Sequence, residues 1–592
     1  MKVMLLFPPD WLPSEPYLSL PMLASVLRQG GHEVILKDVN VEMYDMMFSP
    51  PFLQYVYERI RAEASRLQKT FENRPQFDEH KKLLSKILSH ENEFLTRLGD
   101  DVETAKSIFR SERFYQVDEL EWATTRLHYA MFVVSLAFFP AQICFPPMET
   151  DLAYKTYISG EILKATGDDS VNIYRQVYRR LVDPVIVQKK PSVIGISVVQ
   201  KKQIIPTFTF CSMIKESHPN VHVTIGGNVI TRIRDVLAEK PEFFSLFDTA
   251  ILYEGEYALL ELVNSISNNT RDYASLPNLI YKGDNGIHVN TNTRAADVMA
   301  LPPPDFDGLP LDKYFAPSLI LPYLATRGCY WGRCAFCDHS QGYAEKFRTK
   351  TVDQVVEDIS FLKAKYGNRH FHFTDESYPP ALFKKLPQKL IEKNLDIAWT
   401  THLRFEDGLR DEIVWEKAAE SGCKSLYFGY ESGNERVLKI MNKATDLATI
   451  KTILQNSAKH GIWNHCMGFF GFPGETRSEA YDSIRFLHEN KDAVHSVGFM
   501  TFVLGKHSPI AQNPGQYGIS IYKNPEWDIA LDYYFTVREG QGIDDALKIF
   551  SEFERHHDPK WDLRIEVREY VFLYVDHFHT NNLPQLYVRG QT

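Results

Sequence analysis

The sequence is poor in cysteine, with seven in 592 residues. That number is odd and too sparse for a disulfide framework. It has no run of lysine and arginine long enough to neutralise a line of phosphates. Its formal charge is −10 and its isoelectric point is near 6.1, so nucleic acid is not an expected partner. No apolar stretch approaches the roughly 20 residues of a spanning helix. The longest, Tyr129 to Phe139, contains Ser135 and stops at Pro140. The amino terminus runs from Met1-Lys2 through Val3 to Phe7 and breaks at Pro8-Pro9, too abruptly for a signal peptide. These absences predict a soluble cytoplasmic protein. Low hydrophobicity is also missing, because 44% of residues are apolar and 13% aromatic, which excludes a mainly disordered chain. No Gly-x-Gly-x-x-Gly follows the first apolar run, which argues against a nicotinamide site.

What is present is enough chain for several domains. Val3 to Phe7, a helix over Leu18 to Gln29 closed by Gly30-Gly31, and His32 to Leu36 read as strand, helix and strand. The alternation resumes with strands at Val193 to Ser197, Val221 to Ile225 and Thr249 to Leu252. Helices are expected near Ile205 to Lys215, from about Ile230 and from Glu256. Strands alternating with helices predict a parallel, doubly wound sheet over residues 1–46 and 186–282. Residues 47–185 are dense in helix formers and carry no strand pattern, so they read as a helical insertion. Residues 283–318 turn polar and proline-rich, ending Leu301-Pro302-Pro303-Pro304-Asp305-Phe306-Asp307, and read as an extended linker.

A second βα series follows over residues 319–500. Its strands are expected at Tyr323 to Thr326, Phe371 to Thr374, Ile397 to His402, Ser425 to Tyr430 and His465 to Phe470. This predicts a partial or full barrel with its chemistry at the carboxyl ends of the strands. Residues 501–592 are rich in aromatics, carry no recognisable motif, and are expected to be an α-rich extension that shapes the substrate pocket.

Three of the seven cysteines fall together, in Cys329-Tyr-Trp-Gly-Arg-Cys334-Ala-Phe-Cys337, on a loop directly after the first strand of this series. Three thiolates can hold three irons of a [4Fe–4S] cluster and leave the fourth iron open. A zinc site is the competing reading, with His339 of Cys337-Asp338-His339 as fourth ligand. A Cys-x-His pair is tighter than usual zinc spacing, and a large α/β domain needs no metal to fold, so the cluster is favoured. Cys144, Cys211, Cys423 and Cys466 stand alone in apolar context and read as core residues. His402 and His339 read as hydrogen-bonded polar neighbours rather than ligands.

Thr326-Arg327-Gly328-Cys329 to Phe336-Cys337 resembles the signature of radical S-adenosylmethionine (AdoMet, SAM) enzymes. Four residues separate its first two cysteines where the usual signature has three. The resemblance continues in order through Phe373-Thr374-Asp375-Glu376, Arg404 after Trp399 to His402, Phe428-Gly429-Tyr430-Glu431-Ser432-Gly433 and Gly468 to Thr476. It implies Cys329, Cys334 and Cys337 on the cluster, and Phe336, Asp375, Glu376, Arg404 and Glu431 at AdoMet. Plainer readings stand beside these: Asp375 and Glu376 as helix N-terminal acids, Glu431 as an ion-pair partner, Gly471 and Gly474 as turn residues.

A doubly wound domain joined by a Pro-Pro-Pro-Asp-Phe linker to such a domain resembles the cobalamin-binding radical SAM family. The resemblance implies a cobalamin site near Ser197, Gly226, Gly227 and Glu254, with Tyr330 and Trp331 facing the corrin. The Asp-x-His-x-x-Gly motif that supplies a histidine ligand to cobalt in many cobalamin enzymes is missing, which implies no histidine beneath cobalt, although His128 could supply one from elsewhere. A lone Gly-Gly also fits a flavodoxin-like domain that only packs. The implied activity is methyl transfer to an unactivated carbon through a 5′-deoxyadenosyl radical and methylcobalamin. Ring closure or rearrangement with the same cofactors, and a cobalamin sensor with a structural iron–sulfur or zinc site, are the alternatives. The implied partners are a small-molecule or peptide substrate and an electron donor such as flavodoxin or ferredoxin. Fold and cofactor motifs do not identify the substrate.

Overall fold

The computed structural model describes residues 1–89, 91–339, 347–579 and 583. The chain divides into two compact units, Met1–Asn292 with Asp305–Leu319, and Thr293–Pro304 with Ile320–Thr592.

The first unit is built on strands β1 (Lys2–Phe7), β2 (Glu33–Asp38), β3 (Val193–Ser197), β4 (His222–Gly226), β5 (Thr249–Ile251), β6 (Leu279–Gly283) and β7 (Gly286–Val289), in the order β2-β1-β3-β4-β5-β6-β7. The first five are parallel, and β6 and β7 continue the sheet antiparallel. Every residue of Val193–Ser197 is buried, as a parallel strand covered on both faces must be. The chain reverses direction between β1 and β3, and doubly wound sheets bind ligands in the crevice at such a switch point. The helix Ser19–Gln29 ends as expected, with Gly31 left-handed at φ 82°.

Between β2 and β3 the chain is helical, from Val39–Met47 to Asp183–Lys189, and Val117–Ala137 is its longest element. The proline-rich segment departs from the expected free linker. Its first residues form β7. Within the first unit, Tyr314 donates to Asp38 Oδ2 at 2.7 Å and Asp305 pairs with Arg28 at 2.6 Å. Within the second unit, Ala296 and Leu301 carbonyls accept from Arg348 and Lys350. A segment that cannot pair as helix or sheet is held through carbonyls bonded by side chains.

The second unit holds β8 (Ile320–Tyr323), the short antiparallel pair β9 (Thr326–Arg327) and β10 (Arg348–Thr349), then β11 (His370–Phe373), β12 (Ala398–Leu403), β13 (Cys423–Glu431), β14 (Trp463–Phe470) and β15 (Ser496–Thr501). Six of these strands form one parallel sheet in the order β15-β14-β13-β12-β11-β8. This sequential order with intervening helices makes a partial (β/α) barrel. The strand β15 was not anticipated, because Ser-Val-Gly-Phe-Met-Thr is half exposed and contains a glycine, and so reads weakly as a strand.

Phe383 of helix Pro380–Glu392 packs on Trp399, which also meets Phe373. That assigns Phe373 and Trp399 to the helix-covered face. The alternate residues His370, His372, Thr400 and His402 therefore face the lumen. The C-terminal part is helical (Ile543–His556, Arg568–Phe578) and also carries a three-stranded antiparallel sheet, β16 (Leu504–Gly505), β18 (Asp532–Val537) and β17 (Ile519–Tyr522), in that order. The expected extension runs to residue 592, partly outside the described residues. No described helix is long and apolar enough to cross a membrane.

Candidate active site at the cysteine loop

The loop that carries Cys329, Cys334 and Cys337 leaves the carboxyl end of β8 and is clamped from below by Asp375. This carboxylate is fully buried. It accepts from the Thr326 hydroxyl at 2.5 Å and the Ala325 N–H at 3.3 Å. Burial raises the Asp375 pKa to about 6 against those hydrogen bonds. Both oxygens of Asp375, expected at AdoMet, accept hydrogen bonds from the root of the loop. Glu376, its neighbour, is exposed, and its Oε2 lies 3.5 Å from His339 Nδ1.

Arg404, also expected at AdoMet, braces the loop. Its side chain is 5% exposed and each guanidinium nitrogen bonds to the loop or its support. Nε donates to Glu406 at 3.0 Å, Nη1 to Cys334 Sγ at 3.4 Å and Nη2 to the Lys443 carbonyl at 2.5 Å. Its plane lies 5.0 Å from the centre of the Trp331 ring, a cation–π arrangement. Trp331 donates its indole N–H to the Asn442 carbonyl, Asn442 donates to the Arg333 carbonyl, and Tyr330 donates to Glu406 at 2.9 Å. Burial raises the Tyr330 pKa, with Glu406 adding to the shift. Tyr330 and Trp331 thus have their polar atoms tied within the second unit.

Phe336 packs edge-on against Phe469, ring centres 5.0 Å apart, on a core of Ala335, Val437, Met441, Phe472 and Phe502. Glu431 ends β13 with φ 61° and pairs with Lys443 at 2.6 Å. Burial raises the Cys334 thiol pKa and pushes Cys337 to about 12. Both are neutral thiols until a metal displaces their protons.

Below the loop, the lumen carries a polar row that sequence reasoning did not assemble. His402, Tyr427 and His465 stand on neighbouring strands in register, ring centres 5.5 and 5.2 Å apart. Arg568 of the C-terminal helix reaches His402 Nε2 at 3.2 Å, and its own carbonyl accepts from Tyr427. Burial lowers the His402 pKa, with Arg568 adding to it, and lowers His465 to about 4 for the same two reasons. The available signal was the polar alternation His370-x-His372 and Thr400-x-His402 in strands of an otherwise apolar sheet.

In the first unit, Ser197 is buried at the end of β3. At Gly226 and Gly227 the space a side chain would take is filled by neighbouring backbone. A Cβ on Gly227, whose φ is 106°, would lie 2.5 Å from the Val198 carbonyl oxygen, and one on Gly226 would lie 3.3 Å from that of Ile251. The glycine pair, expected beside the nucleotide tail of cobalamin, lets backbone approach backbone here. Glu254 is buried, and its carbonyl accepts from Asn278.

Residues 323–487 match the radical SAM superfamily model. An uncharacterized methyltransferase of Pyrococcus horikoshii is 30% identical over 306 residues, 50% of this chain and 64% of that protein. The anaerobic magnesium-protoporphyrin IX monomethyl ester cyclase of Rubrivivax gelatinosus is 25% identical over 340 residues, 55% of this chain and 59% of that protein. The chain thus spans less than two thirds of the length of either relative. Among solved structures, the radical SAM methyltransferase TsrM of Kitasatospora setae, with cobalamin and a [4Fe–4S] cluster bound, superposes with a TM-score of 0.50 at 17% identity. That match covers 64% of this chain and 79% of TsrM. The cobalamin-dependent radical SAM enzyme OxsB, with aqua-cobalamin and AdoMet bound, gives 0.51 at 15% identity over 67% and 68%. Residues 323–487 are a radical SAM domain, carried in a chain that shares the fold of TsrM and OxsB.

Proposed function

We propose that this chain is a cobalamin-dependent radical SAM enzyme, a methyltransferase acting on an unactivated carbon of a small-molecule or peptide substrate. One observation carries the reading. Three thiols sit on one loop at the carboxyl end of an open parallel barrel, braced by Asp375, Arg404 and Asn442, in a chain that also carries a doubly wound sheet with its own switch point. Three sulfur donors on a braced loop suit a cluster with one open iron. The carboxyl edge of the first sheet, with half-buried Val199, Gln200, Asn228 and Tyr253 on its loops, suits a flat cofactor laid across strand ends.

When bound, the cluster supplies the electron that cleaves AdoMet, and cobalamin supplies a transferable methyl group. The chain's own part is placement. Cys329, Cys334 and Cys337 would hold the cluster. Glu376 and Glu431 would meet the polar groups of AdoMet, the second carboxylate being held by Lys443 at 2.6 Å. Phe336 lines the wall beside them, and Arg404 keeps Cys334 and Trp331 in place. Ser197 and Glu254, with the main chain at Gly226 and Gly227, border the crevice proposed for cobalamin. A reduced flavodoxin or ferredoxin in the cytoplasm would complete the system.

Anaerobic reconstitution followed by reduction in the presence of AdoMet tests this reading. Formation of 5′-deoxyadenosine with one cluster per chain is expected, and S-adenosylhomocysteine should accompany it when the true substrate is present. Relatives with names outside methyl or methylthio transfer include the cyclase above and the 4′-phospho-dehydrooxetanocin synthase of Priestia megaterium. Those names support ring closure or rearrangement as a second reading. With true substrate, 5′-deoxyadenosine without S-adenosylhomocysteine would select it.

A further inference from the structure

The lumen row below the cysteine loop has a use that the cofactors do not absorb. His402 and His465 are both half-buried. Each has one ring nitrogen committed to a neighbour and the other directed by that commitment. Arginine can only donate, so Arg568 Nη1 at 3.2 Å makes His402 Nε2 the acceptor. The proton of a neutral His402 ring is then on Nδ1. Ser496 Oγ accepts the Trp463 indole proton at 2.9 Å and lies 2.8 Å from His465 Nδ1. With the serine hydroxyl donating to Nδ1, the His465 proton is on Nε2. Gly498 makes room for this. A Cβ there would be 2.8 Å from His465 Nε2, and Gly498 stands in the row above, beside Met467 and toward the loop.

Arg568 has an acidic partner on this floor. The Arg568 fork closes on Glu569 Oε1 at 3.0 and 2.8 Å, and Glu569 is buried. Burial opposes ionisation of Glu569, but Arg568 holds its pKa below the ordinary value. Both imidazoles are kept neutral by burial and by the same arginine. Two uncharged N–H donors beside a buried carboxylate suit an uncharged acceptor. An anion would meet Glu569 without a compensating free cation.

Resting on the reading above, we propose that His402 Nδ1–H and His465 Nε2–H hold an uncharged carbonyl-type acceptor of the substrate, and that Arg568 is a positioning residue that fixes the His402 tautomer.

The test uses full-length protein labelled with ¹⁵N-histidine. Long-range ¹H–¹⁵N correlation is recorded near neutral pH, with the two residues assigned through His402→Phe and His465→Phe. Wild type should show His402 protonated on Nδ1 and His465 on Nε2. Arg568→Met should remove the His402 preference and leave that of His465, a change that a merely structural arginine would not produce. Millimolar benzamide, a neutral carbonyl probe, should shift both residues in wild type, and benzoate of the same size should not. The opposite tautomers, a larger shift with benzoate, or no shift with either probe would overturn the proposal. AdoMet cleavage is read separately on the same wild-type protein. Cleavage without a benzamide shift overturns this inference alone. A shift without cleavage overturns the enzymatic reading on which the inference rests.

Discussion

Arg404 Nη1 lies 3.4 Å from Cys334 Sγ, while the same guanidinium stacks 5.0 Å from the Trp331 ring centre. A buried cation therefore braces the cysteine loop and donates to one of its three sulfurs. Arg404→Met removes three hydrogen bonds and the stacking. Lysine cannot reproduce the fork. A hydrogen bond to a charged group contributes about 1.5 to 3 kcal/mol, so AdoMet cleavage should fall about tenfold or more in Arg404→Met, with Arg404→Lys little better. Losing an N–H donor to sulfur should also make the cluster potential more negative. Iron content and potentiometry decide this, and an unchanged potential with full iron would remove Arg404 from the role.

Cys329→Ala, Cys334→Ala and Cys337→Ala should each abolish AdoMet cleavage and the broad visible thiolate-to-iron absorption. The secondary structure should survive in each, because the barrel core of Phe371, Phe373, Trp399 and Leu426 is buried away from the loop. Metal analysis checks the ligand assignment. Stoichiometric zinc with no iron after anaerobic reconstitution would refute the cluster and reinstate His339 as a fourth ligand.

Strand and helix alternation was readable because the strands of both sheets, β6 and β7 apart, are parallel and run as apolar stretches, as at Val193–Ser197. The cysteine loop was readable because its ligands are adjacent in sequence. What could not be read was where a polar side chain turns. Asp375 and Glu376 are neighbours, yet one is fully buried under Thr326 and the other exposed. Gly227 was legible as a required glycine, but the group that approaches it is Val198, distant in sequence and visible only in the fold. The His402 and Arg568 contact spans 166 positions, and no local pattern links a barrel strand to the C-terminal helix.

Gly227→Ala tests that reassignment. At φ 106° and ψ 179°, an alanine meets both backbone strain and the Val198 carbonyl. Strain of this kind costs about 1 to 3 kcal/mol, and the clash adds to it. Gly286→Ala is the control, because its φ is 116° with no atom within 4 Å of the added Cβ. Urea midpoints should fall clearly further for Gly227→Ala. Equal midpoints, with loss of cobalamin retention only in Gly227→Ala, would restore the earlier view of the glycine as a ligand cradle.

The buried Asp375 makes stability depend on pH. Its pKa is about 6 in the folded chain against an ordinary 3.8. Folding therefore favours the protonated form. The penalty is absent below about pH 4, grows as pH rises through about 6 and then levels off, reaching roughly 3 kcal/mol. Asp375→Asn has no carboxyl to ionise. The unfolding free energy of wild type minus that of Asp375→Asn should therefore decline across this window. A difference that stays flat with pH would show that Asp375 is ionised at no cost.

The lower face of a bound cobalt should lack a histidine. The carboxyl edge of the first sheet is where a ligand would lie, and the described histidines of that unit sit elsewhere. His32 lies just before β2 and meets Asn264 at 2.9 Å. His218 pairs with Asp183 at 2.7 Å. His222 begins β4, at the opposite end from Gly226, with Nε2 3.0 Å from Thr249 Oγ1. His288 stacks on Tyr281 in the antiparallel extension. In the helical insertion, His80 is ringed by Phe71, Phe77, Phe132 and Phe139. His128 packs against Phe145, ring centres 6.0 Å apart, and burial lowers its pKa. A strong nitrogen donor opposite the methyl group would disfavour the reduced cobalt from which methyl transfer restarts, so its absence suits the proposed chemistry. Electron paramagnetic resonance of the Co(II) form bound to the full chain should show no nitrogen superhyperfine splitting from a lower ligand. Splitting that persists in wild type and disappears in His128→Phe would make His128 the ligand and overturn this prediction.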